Sequence, residues 1–248
     1  AGIIPFAGAA YTERDKIIDI ALGEVGYTQK NGYNKFSAEF GNGYTAWCNY
    51  FVVWCAKRAG VSAEAITGTN SYGGNCYIYM SALRNQGRFF ENDGSYTPKK
   101  GVLVFYNSTK STNGSTHIGF VLEADANTVT TIEGNVTVKG TRGVGKNVRP
   151  RYSYVGDMII IGFGIPAYSD EEVPEAVIKN ALKKAPSSPA VKKIDATKFE
   201  TNLTAEERME SIKKISIDNN CKNIDFVTVI KAPYFASVQL SCECTSCK

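Results

Sequence analysis

The hydrophobic pattern of this chain changes from helical to alternating period after Gly101, and that change limits the folds open to it. Before Gly101, apolar residues recur at helical spacing. In TERDKIIDIALGEV, residues 12–25, Ile17, Ile18, Ala21 and Val25 form one stripe, Thr12 can cap, Glu13 and Asp15 suit the first turn, and Gly26 can end the helix. In TAWCNYFVVWCAKRAG, Thr45 can cap a helix over 46–59, with Lys57 and Arg58 in its last turn and Gly60 past its end. A third helix is expected near 75–86. After Gly101 the runs GVLVFYN, HIGFVLE, TVTTIEGN and the stretch 150–165 ending in MIIIGFGIP alternate as strands do. Helices first and strands afterwards predict an α+β domain, with N-terminal helices packed on an antiparallel sheet and the chain closing near Pro166.

Beyond Ser169 the texture shifts. DEEVPEAVIKNALKKA can form a helix and APSSPAVKK is a Pro/Ser/Lys linker, which makes 169–196 a connector. Residues 197–248 read as a small α+β module. LTAEERMESIKKIS is a helix with a Thr204/Glu207 capping box, and IDFVTVIK and YFASVQLSCEC are a strand pair. The expected organisation is a first domain over 1–168, the connector, and this module. About fifty residues is marginal for an independent core.

Composition excludes several classes. With 43% hydrophobic and 21% charged residues among 248, the chain can build a core. No apolar run approaches the ~18 residues that a membrane span needs. The opening AGIIPFAGAA lacks the basic flank of a signal peptide and reads as a tail or a trimmed start. The net charge is +4, and its densest part (Lys99, Lys100, Lys139, Arg142, Lys146, Arg149, Arg151) is thin and scattered. It fits a solvated loop, with a mild attraction to an anionic polymer, and not a nucleic-acid footprint.

The chain has one histidine, His117, so any thiol–imidazole or hydroxyl–imidazole chemistry must use it and no multi-histidine metal site can form. Cys48 falls in the first turn of the 46–59 helix, where free amides and the positive dipole end favour a thiolate. Position alone leaves a buried, inert cysteine open as the other reading. Cys55, ~10 Å further along the same helix, is too far for a disulfide and reads as buried. Cys76 reads as structural. Alternation places His117, Gly119 and Val121 on one strand face, and Thr131, Glu133 and Asn135 on one face of the next. A hairpin through Asp125-Ala126-Asn127 sets His117 opposite Asn135, with Glu133 diagonal to it, or directly opposite Glu133 after a slip of register. A nucleophilic sulfur, a base, and an acceptor behind the base are the parts a thiol hydrolase needs.

The motifs W-C-x-x-F-V-x-W-C-A, T-H-I-G-F-V and T-I-E-G-N, within residues 12–166, resemble the CHAP domain, a papain-like family of the NlpC/P60 group. The resemblance implies a papain-like fold and a cysteine, histidine-dependent amidohydrolase or peptidase. It implies cleavage of bacterial peptidoglycan, at the muramoyl–L-alanine amide or at a peptide bond of the stem or cross-bridge, without a cofactor. It carries over Cys48 as nucleophile, His117 as base, and Glu133 and Asn135 as residues that orient and polarise His117. Some phage-lysin relatives carry an acidic calcium loop before the cysteine. Here residues 27–46 hold a single acid, Glu39, so no calcium or other metal is expected there.

Trp47 and Tyr44 flank Cys48 and could line a substrate groove or simply pack. Cys221, Cys242, Cys244 and Cys247 leave disulfides, zinc and free thiols as alternatives. The module that holds them fits wall binding or self-association. The setting implied is a phage lysin, kept in the host cytoplasm and released to the wall, or a secreted enzyme. Two other readings use the same residues: a cysteine protease or acyltransferase acting on another substrate, and a wall-binding module with a decayed site.

Overall fold

A computed structural model describes residues 11–108 and 114–171 and, beyond them, 174, 176, 177 and 180. The expected C-terminal module, its linker, its four cysteines and the N-terminal tail lie outside the described residues. The chain divides into two compact units at residues 184 and 185. The first contains everything that follows.

Five helices precede the main strands: α1 (Glu13–Gly23), α2 (Lys35–Ala38), α3 (Cys48–Ala59), α4 (Ala63–Thr67) and α5 (Cys76–Asn85). Thr12 and Asp15 close a reciprocal capping box on α1, which buries Ile17, Ile18 and Ala21. Val25, expected in that stripe, lies past the helix end and is 46% exposed. Gly60 ends α3 in the left-handed region at φ 79°, as its place after the last helical turn requires. The start of α3 differs from expectation. Thr45 is not its cap; Trp47 is, with no side-chain capping bond. Trp47 is wholly buried against Phe36, so the chain is anchored there and turns helical only at Cys48. Eight of the twelve residues of α3 are buried, which makes it the central helix rather than a one-sided surface helix.

Six strands follow: β1 (Phe89–Glu91), β2 (Leu103–Ser108), β3 (His117–Ala124), β4 (Thr128–Val138), β5 (Thr141–Pro150) and β6 (Met158–Gly164). They form one antiparallel sheet in the order β1-β6-β2-β3-β4-β5. Alternation sorts its two faces. Leu103, Phe105, Ile118, Phe120 and Ile132 pack with the helices. Val102, Val104, Tyr106, Val121, Val129, Ile160 and Phe163 form a second cluster on the other face. The fold class is α+β, as expected.

Strand β5 is the main departure. Its sequence, TRGVGKNVRP, has two glycines, three cations and weak alternation, and it reads as a solvated loop. In the structure it pairs with β4 from Thr128↔Pro150 to Val138↔Thr141. Two of the cations counted as surface charge are instead drawn inward. The Arg151 side chain is buried and donates to Asn92 Oδ1 and the Tyr96 carbonyl, and Arg149 is ion-paired to Glu133. Packing also continues past Pro166. Tyr168 and Val177 are buried, and Asn180 Nδ2 donates to the carbonyls of Gly87 and Phe89.

Candidate active site

The β3–β4 hairpin turns at Asp125, whose Oδ1 accepts from the amides of Asn127 and Thr128. Phe120↔Ile132 and Val121↔Thr131 keep the first of the two expected registers, and a bulge at Leu122 shifts the pairs nearer the turn. That register places Gly119 beside Glu133. A Cβ on Gly119 would stand 2.7 Å from Glu133 Cγ and 2.8 Å from the Ile132 carbonyl oxygen, so the missing side chain is what admits the carboxylate. His117, the first residue of β3, pairs on its other side with Tyr106. Its Nε2 lies 2.8 Å from Glu133 Oε2.

Glu133 is wholly buried and saturated with donors. Oε2 also accepts from Arg149 Nη2 at 2.9 Å. Oε1 accepts from Arg149 Nε at 2.9 Å, Tyr106 Oη at 3.0 Å, Thr131 Oγ1 at 2.5 Å and Asn147 Nδ2 at 3.3 Å. Burial alone would push this carboxyl up. The bonds and charges of His117 and Arg149 outweigh it and hold the group ionised far below the usual carboxylate range. The fork of Arg149 meets both oxygens, a geometry only guanidinium offers.

On the other side of the ring stands Cys48. A hydrogen bond from the Cys76 thiol, then the bond and charge of His117 and the Asn49 amide, pull the Cys48 thiol well below its ordinary range against the opposing effect of burial. His117 moves the opposite way. Burial lowers its pKa, but the bonds and charges of Cys48 and Glu133 raise it to about 9. The pair therefore favours thiolate and imidazolium, with Nε2 committed to Glu133 and Nδ1 left for the sulfur. Cys76 was expected to be structural. Its Sγ lies 3.6 Å from Cys48 Sγ, and its hydrogen bond to Cys48, then burial and the neighbouring thiolate charge, keep it protonated.

Asn135 is placed differently from Glu133. The β4–β5 register breaks between Glu133 and Val136, and Asn135 takes a left-handed φ of 62° there. This removes it from the strand alternation. Its carbonyl accepts from Arg142 Nη1 at 3.4 Å, and its side chain makes no hydrogen bond to His117. Trp47 does not line a groove. It is 0% exposed, stacked on Phe36 at 4.9 Å, with its indole N–H on Gln29 Oε1. Tyr44 is 75% exposed and packs edge-on against Tyr33. Glu39, the single acid of the 27–46 loop, is ion-paired to Lys57 and Arg58. Among the described residues no three His, Cys, Asp or Glu side chains converge as a metal site.

Sequence reasoning did not find Arg149, Tyr106, Asn147 or the closeness of Cys76. Thr131 was legible as sharing a face with Glu133. Alternation along β2 would put Tyr106 on the His117 face once the β2–β3 register was known. Arg149 carried no local signal, because its strand has none.

Comparison with known proteins adds three findings. A family model, the CHAP domain, matches residues 39–135. A solved structure titled "The crystal structure of Ly7917" is similar at 18% sequence identity and a TM-score of 0.37, over 62% of this chain and 62% of that one. This chain thus spans somewhat under two thirds of that relative's length. No curated protein matches. The family match begins nine residues before Cys48 and ends just after Glu133, so the stretch of this chain that is similar to the CHAP domain encloses all three members of the buried relay.

Proposed function

We propose that this chain is a peptidoglycan hydrolase that cleaves an amide bond of the bacterial wall by a cysteine–histidine mechanism. The observation that carries the reading is the relay from Cys48 through His117 to a buried, ionised Glu133. An ion pair with a fixed acceptor behind the ring is the arrangement acyl transfer requires. The Cys48 thiolate adds to the amide carbonyl. In the first turn of α3 the amide of Tyr50 is taken by Asn49 Oδ1 and that of Asn49 donates to the Cys48 sulfur, and amides at such a helix start can hold the developing oxyanion. His117 gives its proton to the leaving amine as the tetrahedral adduct collapses to a thioester. It then takes a proton from water, which attacks the thioester and frees the acid and the thiolate. Glu133 steadies the imidazolium in both steps, and Arg149, Tyr106 and Thr131 hold Glu133 in place.

The substrate is read from the family. The endolysin setting and a wall-residence role for residues 197–248 belong to the same proposal. Mass analysis of purified sacculi digested with the full chain tests it. Expected are new free amines on stem or cross-bridge peptides, absent with Cys48→Ala and with His117→Ala. Unchanged sacculi, or full activity in either variant, would overturn it.

A further inference from the structure

Two sulfurs meet at the catalytic centre, each on the first residue of a helix. Cys48 opens α3 and Cys76 opens α5, with Sγ atoms 3.6 Å apart. A disulfide needs ~2.05 Å, so closing it takes a movement of about 1.5 Å, within the reach of two side-chain rotations. The apposition is clamped by more than the sulfurs. Asn49 Nδ2 donates to the Gly74 carbonyl at 2.5 Å, tying the start of α3 to the loop before α5. Tyr79 Oη accepts from the Gly73 amide and donates to the Ser71 carbonyl. The Tyr50 ring lies so close to Gly73 that a Cβ there would fall 2.0 Å from it. The loop carrying Cys76 is thereby held against the helix carrying Cys48.

We propose that Cys76 is a resolving cysteine, and that peroxide converts Cys48 and Cys76 into a reversible disulfide that switches the catalytic centre off. The inference rests on Cys48 being the nucleophile, as proposed above. A thiolate beside a protonated thiol is the pairing from which such a bond forms. The Cys48 thiolate attacks one oxygen of hydrogen peroxide and the O–O bond breaks. Cys48 becomes a sulfenic acid, and the departing hydroxide takes the His117 proton and leaves as water. The Cys76 sulfur then attacks Cys48 Sγ and the S–O bond breaks. The hydroxyl leaves as a second water with the Cys76 proton. The two sulfurs lose two electrons in all and the peroxide gains them. A dithiol reductant reverses the change by thiol–disulfide exchange. Although Cys48 and Cys76 are only 6% and 4% exposed, peroxide is smaller than the acyl group that must reach the same sulfur. The adjacent thiol also protects the nucleophile, since a sulfenic acid consumed in a disulfide is not carried on to the irreversible sulfinic acid.

The test treats the full-length chain with limiting hydrogen peroxide and follows three readouts. Peptide mapping without reduction should show a Cys48–Cys76 link, with fragment ions excluding Cys55. Sacculus hydrolysis should fall as the link accumulates and return with dithiothreitol. The single imidazole resonance should titrate at lower pH after oxidation, because His117 loses its thiolate neighbour. In Cys76→Ala, and in Cys76→Ser should the alanine variant not fold, peroxide should drive Cys48 to the sulfinic acid, and dithiothreitol should no longer restore that variant's own starting activity. A wild-type map with Cys48 singly oxidised and no Cys48–Cys76 link, or a loss of hydrolysis that dithiothreitol reverses equally well without Cys76, would overturn the inference. Failure of the catalytic reading looks different: the untreated, reduced chain would leave sacculi intact whatever the map shows.

Discussion

Glu133 Oε2 sits 2.8 Å from His117 Nε2 while Arg149 grips both oxygens of the same carboxylate. This carboxylate is thus shared between a titrating cation and a permanent one. Arg149 keeps Glu133 ionised without His117, so the carboxylate is ready whichever protonation state the ring is in. The cost is a buried charge with no apolar substitute, since removal of either partner strands the other.

Replacing Glu133 with Gln should keep the shape and remove the charge. The imidazolium loses its counter-charge and the ring loses its acceptor-only partner. Hydrolysis of sacculi should fall by roughly 100- to 10,000-fold, the scale seen when the acceptor behind a catalytic histidine is made neutral. The single imidazole gives a direct check. Its NMR titration, expected at about 9 in the native chain, should move down in Glu133→Gln.

The pH–rate profile should hold its plateau through neutrality and fall on the alkaline side near about 9, where His117 loses its proton and can no longer protonate the leaving amine. The acid limb should lie well below the ordinary thiol range, where Cys48 regains its proton. The sign for stability follows the same shift. The folded pKa of His117 is raised above the ordinary 6.5, so its contribution is fully present below that value and is lost as pH rises through about 9. Chemical denaturation at several pH values between 6 and 10 checks this.

Arg149→Leu should destabilise the fold by roughly 3 kcal/mol, the low end for breaking a buried pair, because Arg149 keeps 13% of its side chain in contact with solvent. Arg149→Lys should recover only part of this, since a single ammonium cannot meet both oxygens. Urea unfolding of the three proteins measures the difference.

Gly119→Ala places a methyl against Glu133 Cγ and the Ile132 carbonyl. Neither can retreat, one being pinned by its hydrogen bonds and the other being backbone. A loss of about 2–3 kcal/mol and of nearly all hydrolysis is expected. An alanine variant with native melting and native activity would refute the close packing described here.

Iodoacetamide below pH 8 should label Cys48 and spare Cys55. The first is held as a thiolate, while burial pushes the Cys55 thiol well up. Cys55→Ala should leave the labelling of Cys48 unchanged.

Much of this architecture is legible residue by residue. Thr12, Gly60 and the stripes of α1 and α3 act within a turn or two of chain, and strand alternation at 117–123 and 128–133 acts between next neighbours. Local periodicity therefore already put His117 and Glu133 on matching faces and Cys48 at a helix start. It could not place Arg149 on Glu133, because TRGVGKNVRP becomes a strand only by pairing with β4. Nor could it bring Cys76 to Cys48 across 28 residues, since that meeting depends on a loop clamped by Asn49, Tyr50 and Tyr79. Asn135 marks the same boundary from the other side. Alternation assigns it to the site, while in the assembled sheet the register breaks beside it and its backbone turns left-handed. Periods and caps are short-range energies written along the chain, whereas bulges, ion pairs and sulfur contacts arise only when packing sets distant segments against each other.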